Sequence, residues 1–122
     1  MSAKESILII DDDARNIFAL AAVLRSRGIS VISALSAQQG MDLLKSHKNI
    51  KTVLLDMMMP GMDGYEAIQQ IREDEDIKNI PIVAVTAQAM VGDKEKILKA
   101  GATQYVSKPI DIDILMDVLK NY

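Results

Sequence analysis

Five short apolar runs, each followed by a longer stretch of helical periodicity, predict an α/β chain with a doubly wound, five-stranded parallel sheet in the order 2-1-3-4-5. Three observations carry that prediction. Ile7-Leu8-Ile9-Ile10 and Thr52-Val53-Leu54-Leu55 are continuous rather than alternating apolar runs, as strands covered on both faces require. Strands that alternate with helices join through right-handed crossovers, which makes the sheet parallel. The 122 residues suit one domain over 1–122, large enough to bury roughly two thirds of its unfolded surface without a disulfide or metal staple.

The elements follow in order. Ile7 to Ile10 form the first strand, which stops at Asp11-Asp12-Asp13. From Ala14 to Arg27, Ile17, Leu20, Ala21 and Leu24 recur at helical spacing, Arg25 and Arg27 suit the last turn, and Gly28 ends the helix. Ile29 to Ala34 is the second strand. Ser36-Ala37-Gln38-Gln39 is a capping-box pattern that opens a helix with Met41, Leu43 and Leu44. Thr52 to Leu55 is the third strand, ended by Asp56. Met57 to Met62 contains Pro60 and Gly61 and reads as a loop. Asp63-Gly64-Tyr65-Glu66 is a second capping box, opening a helix through Ile68 and Ile71. Ile80 to Val85 is the fourth strand, ended by Thr86. Met90 to Ala100 is a weaker helix closed by Gly101, Thr103 to Ser107 the fifth strand, and Asp111 caps a last helix with Ile114, Leu115, Val118 and Leu119.

Composition excludes several classes. There is no cysteine, hence no disulfide, thiolate metal site or thiol nucleophile. Lys and Arg number 14 against 17 Asp and Glu, a net charge of −3, which argues against nucleic acid as a partner. No apolar run approaches the ~20 residues of a membrane span, and the N-terminus has no apolar signal core. A cytoplasmic domain with neither membrane nor nucleic-acid contact is the expectation.

In sheets of this order, function lies beyond the carboxyl ends of the strands where the order reverses, here between the first and third strands. Asp11, Asp12 and Asp13 end one and Asp56 ends the other. Carboxylates roughly 5 Å apart repel by about 3 kcal/mol per pair at an effective dielectric of ~20. The compensating charge has three candidate sources: a divalent cation, a lysine or a retained proton. Oxygen donors without nitrogen or sulfur favour Mg2+ or Mn2+. Asp13 is placed to cap the first helix. Asp56 is not explained as a cap, because Asp63 already serves the next helix. Thr86 and Lys108 end the fourth and fifth strands on the same rim. Acids, a hydroxyl and an ammonium around one crevice suit a phosphoryl group arriving beside a metal.

Taken together, Ile7-Leu8-Ile9-Ile10-Asp11-Asp12, Leu55-Asp56-Met57-Met58-Met59-Pro60-Gly61-Met62-Asp63-Gly64, Val85-Thr86-Ala87, Tyr105 and Ser107-Lys108-Pro109 resemble a response-regulator receiver domain of two-component signalling, chemotaxis-regulator-like, over the whole chain. The resemblance implies a flavodoxin-like (βα)5 fold with Asp56 as phosphoacceptor. It implies that Asp12 binds Mg2+ directly, Asp11 through water and Met58 through its backbone carbonyl. Thr86 would hydrogen-bond the phosphoryl group, Lys108 would pair with it, Tyr105 would be the switch aromatic, and the Lys108–Pro109 bond would be cis. Met58 and Gln88 would tune hydrolysis, and a methionine there implies slow to moderate self-dephosphorylation. The chain would not be a kinase. Its partners would be a histidine kinase or histidine phosphotransfer domain upstream and a protein downstream, met through the fourth helix, fifth strand and fifth helix. Arg15-Asn16-Ile17-Phe18-Ala19-Leu20 is similar to receivers joined to hybrid histidine kinases. With one domain in 122 residues, no DNA-binding output is expected, and the signal would leave through a protein contact.

Rival readings are weaker. A haloacid-dehalogenase-type hydrolase needs a second Asp where this chain has Met58. A flavin binder would meet Asp11-Asp12-Asp13 where it needs to cradle a phosphate. A phosphorylation-independent interaction module is the remaining alternative. The methionines at 57, 58, 59 and 62 read as packing, and His47 reads as a solvated loop residue.

Overall fold

The computed structural model describes residues 5–59, 63–87 and 91–122, with the side chains of Val91 and Gly92 excepted. Its elements run β1 (Ser6–Ile10), α1 (Ala14–Ser26), β2 (Ser30–Ala34), α2 (Ala37–Ser46), β3 (Ile50–Asp56), α3 (Gly64–Glu73), β4 (Ile82–Thr86), α4 (Val91–Ala100), β5 (Gln104–Ser107) and α5 (Ile112–Leu119). The five strands form one sheet in the order β2-β1-β3-β4-β5, all parallel. Fold class and strand order are as the sequence predicts.

Both faces of the sheet are covered, which is why its inner strands β1, β3 and β4 are mostly apolar, while the edge strands β2 and β5 carry exposed polar residues. On one face Ile7, Ile9, Leu54, Val83 and Val106 pack against Ile17, Ala21 and Leu24 of α1 and Leu115 and Leu119 of α5. On the other, Leu8, Ile10, Val53, Leu55, Ile82 and Ala84 pack against α2, α3 and Ile97 of α4. No helix among the described residues is long and apolar enough to cross a membrane.

Four helices start on the predicted caps. Asp13 accepts from Arg15 N at 2.9 Å, Ser36 from Gln39 N at 3.1 Å, Asp63 from Glu66 N at 2.9 Å, and Asp111 from Asp113 N at 2.9 Å. The first predicted box closes one residue earlier than the pattern implies: Gln39 accepts from Leu35 N, not from Ser36 N. Gly28 ends α1 at φ +82, a conformation open to glycine without a Cβ penalty.

Strand boundaries moved where polar residues hide them. β3 begins at Ile50, since Lys51 is only half-buried within an otherwise buried strand. β4 begins at Ile82 rather than Ile80, because Pro81 has no N–H for the ladder and the carbonyl of Ile80 is taken by Arg72 Nη1 at 2.6 Å. The same half-buried guanidinium donates to Lys78 O at 2.8 Å and Gly101 O at 2.9 Å. It thereby ties α3 to the turns that precede β4 and β5, a role that nothing in its sequence neighbourhood announces. Two of the methionines, Met57 and Met59, are buried as predicted, but Met58 is 61% exposed and packs no gap.

Two stability predictions follow from polar groups away from the sheet's carboxyl edge. Thr52 is fully buried and its hydroxyl is the buried side-chain polar atom without a partner among the described residues. Thr52→Val keeps the shape and removes that group, so unfolding calorimetry should show a gain of about 1 kcal/mol, or roughly 3–6 °C in Tm. An unchanged or lower Tm would mean that the hydroxyl is satisfied.

Lys45 Nζ meets Asp74 Oδ2 at 2.7 Å, joining the ends of α2 and α3. The hydrogen bond from Lys45 holds the Asp74 carboxyl below its ordinary value, and the same bond raises the Lys45 ammonium. A depressed carboxyl contributes stability above its unfolded pKa and loses it as pH falls through the folded one. Asp74→Asn should therefore lower Tm at pH 7, and the gap should close as pH drops through and below the ordinary carboxylate range of about 3.9. A pH-independent gap in thermal melts would assign the loss to packing instead.

Candidate functional site

The site is built by register. Ile10 pairs with Leu55, so Asp11, one residue past β1, lies beside Asp56, the last residue of β3. Asp56 pairs with Val85, and Thr86 pairs with Ser107. Lys108 therefore leaves β5 level with the end of β4, and its N–H donates to Thr86 O at 2.8 Å. Four strand ends thus deliver the predicted side chains to one rim.

Asp11, Asp12 and Asp56 each offer a carboxylate oxygen within 4.8 Å of the others. Asp11 is 8% exposed and Asp56 5%, while Asp12 is exposed. Asp11 Oδ1 accepts from Asp13 N at 2.9 Å, which aims the carboxylate back over the turn. Burial pushes the Asp11 carboxyl up. The Asp13 N–H opposes this, the charge of Asp56 adds to it, Lys108 opposes it and Asp12 adds to it. Asp56 Oδ1 accepts from Met58 N at 3.0 Å and from Lys108 Nζ at 3.4 Å. Among the described residues one ammonium faces three carboxylates, so their sum is negative.

The loop after Asp56 is held by close approach of two backbones. Gly64 opens α3 against Met57, and its N–H donates to Met57 O at 3.2 Å. A Cβ on Gly64 would stand 2.6 Å from Met57 Cα, so the position requires glycine. The sequence pattern displayed Gly64 only as part of a cap.

Thr86 is 5% exposed and stands in phase with Ile82 and Ala84, whose side chains face α2, α3 and α4. Tyr105, diagonal to it on β5, packs half-buried against that same cluster. Asp56 stands in the opposite phase, with Leu54 toward α1 and α5. The Lys108–Pro109 bond is cis. Gln88 lies outside the described residues, as do Pro60, Gly61 and Met62. His47 is exposed at the end of α2, with Ser46 Oγ 2.9 Å from its Nδ1, and takes no part in the rim.

The donor set is three carboxylates with no nitrogen or sulfur, which fits a hard divalent cation such as Mg2+. Pairwise repulsion at 4.8 Å is about 3 kcal/mol at an effective dielectric of ~20, and solvent lowers this for exposed Asp12. In buffer containing a chelator, Asp12→Asn should consequently stabilise the fold by about 1 kcal/mol, read as a Tm several degrees higher. Equal Tm values would mean that the cluster carries no net strain of charge.

Comparison with known proteins agrees with this geometry. The family model for the response regulator receiver domain matches residues 7–120. The polar-differentiation response regulator DivK of Brucella ovis is 31% identical over 118 residues, covering 97% of this chain and 95% of that protein. The receiver domain of a sensor histidine kinase from Pseudomonas aeruginosa PAO1, with a magnesium ion coordinated in its active-site cleft, is 32% identical, with a TM-score of 0.85 over 98% of both chains. The Saccharomyces cerevisiae response regulator Ssk1, whose receiver domain was crystallised with the histidine phosphotransfer protein Ypd1, gives 26% identity and a TM-score of 0.85 over 100% of this chain and 90% of that one.

Proposed function

The chain belongs to the response-regulator receiver family of two-component signalling, and on that premise we propose that Asp56 accepts a phosphoryl group from a phosphohistidine on a partner protein. One observation carries the reading: a 5% exposed carboxylate at a strand end, with two further acids within 4.8 Å and an ammonium 3.4 Å away. A carboxylate oxygen of Asp56 attacks phosphorus, the P–N bond to the partner imidazole breaks, and an acyl phosphate forms. The transition state is loose and charge-rich, so positioning and positive charge do most of the catalysis. Lys108 pairs with the phosphoryl oxygens, and the Thr86 hydroxyl hydrogen-bonds them.

Asp11, Asp12 and Asp56, with the backbone carbonyl of Met58, would hold Mg2+ or Mn2+. When bound, that ion supplies positive charge to offset the cluster and the incoming phosphoryl oxygens. The Mg2+-bearing cleft of the Pseudomonas aeruginosa receiver supports the choice of ion. Exposed Met58 places no polar side-chain group near Asp56 to orient water, which favours slow to moderate self-dephosphorylation. Gln88 is proposed to share that tuning.

A histidine kinase or phosphotransfer domain in the cytoplasm is the proposed donor, and the Ssk1 likeness supports it. The chain has no phosphohistidine site of its own in this scheme, since His47 lies away from the rim. Phosphorylation takes Asp56 from one negative charge to about two. Thr86 is drawn to the new oxygens, Tyr105 fills the space it leaves, and the face formed by α4, β5 and α5 shifts in population toward the form that binds a protein downstream.

Treatment with acetyl phosphate and Mg2+ followed by intact-mass measurement tests the scheme. Wild type should gain the mass of one phosphoryl group and Asp56→Asn none, while Lys108→Met should slow the gain roughly 10²-fold. Equal gain by Asp56→Asn would reject Asp56, and a wild-type chain that gains nothing would favour the phosphorylation-independent module.

A further inference from the structure

We propose that Lys94 is a positioning residue for Tyr105, holding the switch ring in the resting arrangement through a cation–π contact. The proposal rests on the reading of Asp56 and Tyr105 given above. Lys94 Nζ stands 5.3 Å from the centroid of the Tyr105 ring, within the range at which an ammonium is attracted to an aromatic face. Two residues further along α4, Lys96 Nζ stands 4.7 Å from the centroid of Tyr65 at the start of α3.

The two contacts matter because few of the described side chains of α4 reach the core: Ile97 is buried and Ala100 packs half-buried beside it. Among its described side chains only Ile97 is buried, and Leu98 is 44% exposed. A helix with one buried anchor is drawn from the less stable end of a fold. Lys96 fastens it toward α3 and Lys94 toward β5. The first contact involves a ring at a helix start, away from β4 and β5. The second involves the ring that shares a sheet face with Thr86.

Tyr105 cannot turn toward Thr86 and keep its ring under Lys94 as it stands now. The contact therefore favours the resting arrangement, and the phosphoryl group must overcome it. Removing the ammonium shifts the balance toward the turned ring without touching the phosphoryl site. A single cation–π contact at a partly exposed position corresponds to about a two- to fivefold change in such an equilibrium.

The test uses the whole chain with acetyl phosphate and Mg2+, measuring by intact mass the acetyl phosphate concentration at half phosphorylation. Lys94→Gln should lower that concentration about two- to fivefold. Lys94→Arg, which keeps a cation over the ring, should match wild type. Lys99→Gln, which removes the same charge from an exposed position in the last turn of α4, should also match wild type. In a Tyr105→Leu background Lys94→Gln should have no effect. In NMR spectra of the unphosphorylated chain, the Lys94 ε-methylene protons should show an upfield ring-current shift that Tyr105→Leu removes.

A Lys94→Gln effect equal to that of Lys99→Gln, or one that survives in Tyr105→Leu, overturns the Lys94 proposal and leaves Asp56 untouched. Loss of the distinction between wild type and Asp56→Asn overturns the Asp56 reading instead, whatever Lys94 does, and the switching role falls with it.

Discussion

Three carboxylates met by one ammonium among the described residues govern the carboxyl edge of this sheet. The parallel register of β1 on β3 sets Asp11 beside Asp56, and the turn after β1 adds Asp12 to the same few ångströms. Among the described residues only Lys108 approaches as an ion pair, at 3.4 Å on Asp56. A buried carboxylate such as Asp11 is held partly toward its neutral form by desolvation. The fold tolerates this because the strands beneath are buried on both faces. The stability of the sheet and the discomfort of its edge are two results of one register.

Loops and turns then keep the edge from relaxing. Gly64 packs on the backbone of Met57, so α3 cannot draw away from the residue after Asp56. The N–H groups of Met58 and Asp13 each donate to a cluster carboxylate, fixing oxygens by short local bonds rather than by long side chains. At the far end Arg72 fastens α3 to the turns that precede β4 and β5. α4 differs: its described side chains give one buried anchor and two lysine–tyrosine contacts. Local bonds are dense where charge is placed and sparser among the described side chains of α4, the helix whose surface the proposed scheme requires to change.

The legible part of this protein was the part written in local chemistry. Continuous apolar runs gave away strands covered on both faces, and Asp13, Ser36, Asp63 and Asp111 cap the helices as their spacing implies. The strand-end acids could be placed on one rim because sheet order plus register leaves them nowhere else. What escaped depends on pairs far apart in sequence or on missing atoms. Arg72 reads as one more basic residue in a last turn, yet its partners lie at Lys78, Ile80 and Gly101. The absent Cβ of Gly64 is legible only once Met57 is beside it. Lys94 and Tyr105 sit on different elements, and no periodicity connects them. Pro81 shortened β4 for a reason that was visible, the missing N–H, but its weight against an apolar neighbour such as Ile80 was not.

Strand alternation also separates what reacts from what responds. Asp56 points in phase with Leu54, toward the α1 and α5 side, while Thr86 points in phase with Ala84, toward α2, α3 and α4. The two residues adjoin at the rim, yet their strands carry them to opposite faces of one sheet. Under the proposed chemistry, a charge added at Asp56 does not press on α4 directly, because the sheet lies between. It acts through whichever group reaches the rim from the other face, and Thr86 is that group, with Tyr105 diagonal to it on the next strand. Under the same proposal, a small movement at the rim is read at Tyr105, on the side of the sheet that carries α4. In the proposed scheme this separation would let one partner deliver the phosphoryl group while another binds the surface of α4, β5 and α5. It also makes the contacts of Tyr105, rather than those of Asp56, the place where the response can be tuned without altering the chemistry.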